Sequence, residues 1–248
     1  MPRIDVSIKT RDGSCPASLF TPAGGTGPWP GVILYMDALG IRPAMWEMAQ
    51  RLADDGYAVL LPDLFYRSGP YEVMDPAQTF ADPVKRENLM KLVGSLDRER
   101  TVSDAKAFMA FLASRSEVKG DRFGATGYCM GGKLALTAAG AYPDRFAAIG
   151  SFHAGGLVTD QADSPHRFVK GITGRVYVAG ADQDSHFTDE QKKQLEATLT
   201  EAKVDHLVET YPGALHGYAV PDHPVFNPQA AERHWQALSK LFGEKLVA

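Results

Sequence analysis

The sequence predicts an α/β fold, with one mostly parallel sheet and helices on both faces. Three observations predict it. Short continuous apolar runs such as Val32-Ile33-Leu34-Tyr35-Met36 recur along the chain, and strands that apolar are buried on both faces. Helical stretches separate the runs, as right-handed crossovers between parallel strands require. The chain has 248 residues, 44% hydrophobic and 23% charged, which suits one domain with a large core.

The chain opens with an alternation, Ile4, Val6 and Ile8 against Asp5, Ser7 and Lys9. Arg11-Asp12-Gly13 turns it, and Cys15 to Phe20 returns antiparallel as an edge hairpin. The Gly- and Pro-rich stretch Thr21 to Pro30 is a breaker. Buried strands follow at Val32–Met36, Tyr57–Leu61, Arg122–Tyr128, Phe146–Phe152, Arg175–Ala179 and His206–Tyr211. Helices are expected near 43–55, 101–115, 130–142, 188–203 and 229–243. Residues 64–100 are the least regular part, with Phe65, Tyr66, Tyr71, Met74, Phe80 and Met90 set among Pro, Gly and charges. This segment reads equally as a cap or lid over a site and as a surface excursion packing its aromatics on the core. With no internal repeat or linker, residues 1–248 are read as a single domain.

Composition narrows the function. Net charge is −4 with no basic block, which argues against nucleic acid and anionic membrane as partners. The apolar runs are shorter than a membrane span needs. Met1 to Gly13 holds no apolar core of a signal peptide. The two cysteines, Cys15 and Cys129, make no disulfide framework, and no Cys/His group has zinc-ligand spacing. The expectation is a cytoplasmic protein that needs no metal or organic cofactor; no Gly-rich phosphate loop is present.

The motif that carries chemistry is Gly127-Tyr128-Cys129-Met130-Gly131-Gly132, between a predicted strand and an Ala/Leu-rich helix. It is the G-x-S-x-G nucleophile elbow with Cys for Ser. A strand that turns sharply into a helix strains its central residue and leaves no room for flanking side chains, hence the glycines. At the helix N-terminus, free N–H groups and the dipole favour a thiolate, and the Met130 N–H is placed to stabilise an oxyanion. The bland alternative is a buried Cys at a tight turn. Cys15, in the edge hairpin, reads as an inert small hydrophobe.

A thiol nucleophile needs a histidine, and an acid to hold that histidine's tautomer. In elbow enzymes the chain order is nucleophile, acid, histidine. His216 follows the last strand and the turn Pro212-Gly213, so it suits both order and position. His206 starts that strand, while His223 and His234 read as parts of a solvated loop and helix. His153 ends the strand after the elbow helix and is read as structural although near the site. His166 and His186, in loops, have weaker claims. Asp182 and Asp184 both fall in the loop after Val176–Ala179, where ligand sites of open sheets cluster, and spacing alone does not separate them.

The chain resembles the dienelactone hydrolase family of α/β-hydrolases, which use Cys rather than Ser. The resemblance spans essentially the whole chain and rests on Met36-Asp37-Ala38-Leu39-Gly40, Gly56 to Leu64, Gly127 to Gly132 and His216-Gly217-Tyr218. It implies the α/β-hydrolase fold, Cys129 as nucleophile, His216 as base and Asp184 as acid, ahead of Asp182. It also implies Ala38 and Met130 amides as oxyanion donors, and a small-molecule ester or lactone as substrate. Two positions depart from the family. Asp37 stands where the family has a glutamate that helps switch thiol to thiolate. Val220 stands where it has an anion-binding arginine, for which Arg67 is the candidate substitute. Both departures count against dienelactone itself as substrate. Two rival readings are a non-catalytic ligand-binding protein on this scaffold, and a redox thiol, the latter disfavoured by the lack of a resolving cysteine nearby.

Overall fold

Arg11 and Asp12 turn the chain between β1 (Arg3–Thr10) and β2 (Gly13–Phe20), which pair antiparallel from Thr10↔Gly13 to Arg3↔Phe20. The computed structural model describes residues 3–247. β2 pairs antiparallel with β4 (Ala58–Pro62), and every pairing beyond that is parallel. The remaining strands are β3 (Trp29–Tyr35), β5 (Val118–Tyr128), β6 (Phe146–Phe152), β7 (Arg175–Ala181) and β8 (His206–Tyr211). The sheet order is β1-β2-β4-β3-β5-β6-β7-β8.

The strands run apolar for the expected reason. Val32, Ile33 and Leu34 of β3 are fully buried, each contributing about 1.5–3 kcal/mol of burial. Helices cover both faces. Gly124 faces α7 (Pro228–Leu246), where an added Cβ would meet Leu246 and Phe242. Gly127, an odd number of residues on, faces α5 (Met130–Ala141), and an odd step along a strand reverses the face. α1 (Pro43–Asp54) lies beside α7 through Arg51, which stacks on Trp235. α4 (Arg98–Ala113) lies beside α5, where Tyr142 Oη donates to the Val102 carbonyl. α6 (Asp189–Glu201) starts on a capping box at Thr188 and Gln191.

Two expectations need correcting. Residues 64–100 are more regular than the sequence suggests, holding α2 (Pro76–Ala81), α3 (Pro83–Gly94) and the start of α4. Asp75 and Asp82 cap the two short helices, each followed by Pro at the first helical position. The second correction is His234, expected on a solvated face. It is fully buried in α7, with Nδ1 donating to the Ala231 carbonyl and Nε2 accepting from Tyr128. Ala231, Trp235, Leu238 and Phe242 mark the buried stripe of that helix, and His234 lies within it.

Among the described residues no helix is long and apolar enough to cross a membrane. The chain leaves β3 for β4 on one side and reaches β5 on the other, so the sheet's switch point lies between β3 and β5. Ligand crevices of open sheets form at the carboxyl ends of strands there.

Candidate active site

Cys129 sits at the β5–α5 junction with φ 52° and ψ −117°. A non-glycine residue held at positive φ stores about 1–3 kcal/mol of strain, and its neighbours hold it there. Its N–H donates to the Phe152 carbonyl at 3.0 Å, and its carbonyl accepts from Gly132 at 3.2 Å. The flanking glycines are sterically required. A Cβ on Gly127 would stand 2.2 Å from the Gly131 carbonyl oxygen, and one on Gly131 would stand 2.2 Å from that of Tyr35. The elbow expected from the sequence is thus the conformation adopted. Cys15 is buried, its Sγ against the carbonyls of Pro16 and Asp63, and burial pushes its thiol pKa up.

His216 Nε2 lies 3.1 Å from Cys129 Sγ, and His216 Nδ1 lies 2.7 Å from Asp184 Oδ2. A carboxylate only accepts, so Nδ1 carries a proton and Nε2 faces the sulfur. Asp184 is buried and also accepts the His186 N–H at 2.9 Å. Burial raises the pKa of Asp184, but the hydrogen bond and charge of His216 outweigh it and leave the carboxyl below its usual value. Burial likewise opposes protonation of His216, yet its bonds to Asp184 and Cys129 lift its pKa to about 10. Asp182, left level with Asp184 by spacing, points elsewhere and accepts the Gly213 N–H at 2.9 Å. It shapes the turn before His216.

Asp37 is buried at the end of β3, where both its oxygens are held by Arg42 at 2.6 and 2.8 Å. Arg42 is 1% exposed and also binds Asp222 through Nε at 2.7 Å. The carboxylate expected to act on the thiol is therefore engaged by a guanidinium. Arg67 is not brought to the site. A 3-10 turn (Tyr66–Ser68) sends it to Asp104, at 2.7 Å through both terminal nitrogens, and to Asp12. Ala38 and Met130 both line the cavity over Cys129.

That cavity has a volume of about 320 Å³. Three histidines besides His216 border it: His153, His186 and His223. His153 is 1% exposed with φ 37°, both ring nitrogens lack partners, and its ring centroid is 5.4 Å from that of His216. Burial, aided by the charge of His216, holds its pKa well below the usual value. His223, read from sequence as solvated, instead packs against Phe80 at 5.5 Å. The position of His153 at the end of a strand places it near the site, whereas Arg42, His186 and His223 carry no sequence signal of this kind, since the folding of separate loops brings them to the cavity or its border. Among the described residues no group of three or more His, Cys, Asp or Glu is arranged to hold a metal ion.

The model of the dienelactone hydrolase family matches residues 15–246. The chain belongs to the dienelactone hydrolase family. As a member it is a hydrolase of ester or lactone bonds. It is 31% identical to a carboxymethylenebutenolidase of Pseudomonas sp. (strain P51) over 216 residues, covering 86% of this chain and 83% of that one. A promiscuous, dienelactone hydrolase-like phosphotriesterase from metagenomic libraries superposes with TM-score 0.76 at 28% identity, covering 98% of both chains. A structure from Klebsiella pneumoniae superposes with TM-score 0.83 at 21% identity over 98% of both chains, which shows the shared fold.

Proposed function

We propose that this dienelactone hydrolase family member cleaves a small-molecule ester or lactone through an acyl-thioester on Cys129. The observation that carries the reading is the chain of contacts from Asp184 through His216 to Cys129, at 2.7 and 3.1 Å. Nucleophile, base and orienting acid stand in the order and reach that acyl transfer needs. Membership of a hydrolase family favours this over a binding-only protein.

The proton of the Cys129 thiol passes to His216 Nε2, and the thiolate adds to the carbonyl carbon. The backbone N–H groups of Ala38 and Met130 receive the oxyanion. Collapse breaks the C–O bond, and His216 returns its proton to the departing alkoxide, leaving the thioester. At this stage Cys129 no longer carries charge, so His216 loses two of the influences that raise its pKa. It becomes a base able to take a proton from water. Hydroxide adds, the C–S bond breaks, the carboxylic acid leaves and the Cys129–His216 pair is restored. The 64–100 segment, whose Phe80, Leu89, Met90, Val93 and Leu96 wall the cavity, serves in this reading as the cap.

The test is p-nitrophenyl acetate hydrolysis by Cys129→Ala, Cys15→Ala and wild type. Activity falls at least about 10³-fold in Cys129→Ala and is retained in Cys15→Ala. Mass spectrometry of the wild type under rapid quench shows an acetyl adduct on the peptide holding Cys129. Full activity in Cys129→Ala removes the proposal.

A further inference from the structure

The cavity over Cys129 is chemically two-sided. One side is imidazole: the His186 ring lies 4.9 Å from that of His216, and His223 packs where a Cβ on Gly217 would fall. Much of the remaining lining is hydrocarbon. Met130 and Leu134 are four residues apart on α5 and share a face, as do Leu89 and Val93 on α3. At the rim, Phe80 and Met90 remain 42% and 59% exposed. Large apolar side chains left uncovered around a cavity mark where an apolar ligand passes. Asp37, which also lines the cavity, is paired with Arg42, and that guanidinium is shared with Asp222, so the cluster offers no free positive charge to hold an anionic acyl group.

The leaving oxygen must reach His216 Nε2 to receive its proton, so the leaving group lies on the imidazole side. The acyl group then points away from it. We propose that the apolar arm formed by α3 and α5 is an acyl-binding site for an uncharged alkyl or aryl acyl group. The natural ester thus carries a hydrophobic acid part of medium size rather than an anionic one. This inference rests on the reading of Cys129 as nucleophile. Lys133, which also borders the cavity with its stem beside Gly156, is the group that speaks for the opposite, an anionic acyl chain.

The experiment measures kcat/KM for p-nitrophenyl acetate, butyrate, hexanoate and octanoate, and for the p-nitrophenyl monoester of glutaric acid, whose acyl end is charged. Burial of each methylene multiplies kcat/KM by up to about fourfold, so hexanoate exceeds acetate by at least about tenfold, chiefly through KM. The glutarate monoester falls at least about tenfold below hexanoate, as burying an unpaired carboxylate demands. In Val93→Glu the hexanoate-to-acetate ratio drops by about tenfold or more. A flat chain-length series with activity that still depends on Cys129 overturns this inference alone. So does a preference for the glutarate monoester that Lys133→Met abolishes. Hydrolysis undiminished in Cys129→Ala overturns both the inference and the reading beneath it.

Discussion

The guanidinium of Arg42 holds both carboxylate oxygens of Asp37, at 2.6 and 2.8 Å, with Arg42 1% and Asp37 3% exposed. Its remaining edge binds Asp222, six residues beyond His216. One buried side chain thereby ties the loop carrying Ala38 to the loop carrying His216.

Removing one partner of such a pair leaves an uncompensated buried charge, at about 3–5 kcal/mol. Arg42→Met is therefore expected to lose that much stability in urea denaturation. Asp37→Asn is expected to change stability while leaving the pH dependence of Cys129 alkylation by iodoacetamide in place. A shifted alkylation profile would instead show that Asp37 acts on the thiol.

Asp184 and Asp182 separate cleanly by substitution. Asp184→Asn breaks the hold on His216 Nδ1 and is expected to lower kcat by about 10²–10⁴-fold. Asp182→Asn weakens one bond to the Gly213 N–H, costing about 1 kcal/mol of stability with activity within a few-fold of wild type. Reversal of that order under steady-state assay would exchange their roles.

The pKa of His216, raised to about 10, sets an alkaline limb. Below it the imidazolium can protonate an alkoxide; above it that proton is gone. kcat/KM for ethyl butyrate, whose leaving group needs the proton, is expected to fall above about pH 10. For p-nitrophenyl butyrate, whose leaving group departs as the anion, the limb is absent. Asp184→Asn moves the limb to lower pH. The same shift stabilises the fold below about pH 6.5, and that contribution is lost as pH rises through about 10.

His234 runs the other way. Burial lowers its pKa from 6.5 to about 3, and His153 is lowered too. Between pH 6.5 and 3 the unfolded chain binds protons that the native state refuses, so stability falls as pH falls. Each histidine contributes up to about 1.4 kcal/mol per pH unit. Urea midpoints at pH 7 and pH 5 should drop accordingly, and His234→Phe should flatten the slope by about one proton. An unchanged slope would mean that His234 binds its proton equally in the folded and unfolded states.

The helix α3 beside the cavity is thinly packed. Of α3 only Leu89 is buried, whereas most of α5 is. Amides of α3 are expected to exchange with deuterium at least about 100-fold faster than those of α5. Equal protection would argue against a cap that opens.

The sequence by itself determined the strands, because continuous apolar runs have no stable place except a sheet covered on both faces. It determined the elbow as well, because only glycines fit where β5 turns into α5 within 2.2 Å of neighbouring backbone. Its order of Cys129, acid loop and His216 was legible because each follows its own strand. α2 and α3 were missed because their apolar residues lack a clear stripe, although Asp75-Pro76 and Asp82-Pro83 announce both starts. Only the tertiary structure separates the contacts of Asp182 and Asp184, since two residues of one loop point to different partners, the Gly213 N–H and His216. It alone showed that Arg67 serves Asp104, that Arg42 holds Asp37 and Asp222, and that His223 borders the cavity. Arg67 and Asp104 lie 37 positions apart and Arg42 and Asp222 lie 180 apart, and no local pattern encodes which residues the folded sheet brings within 3 Å.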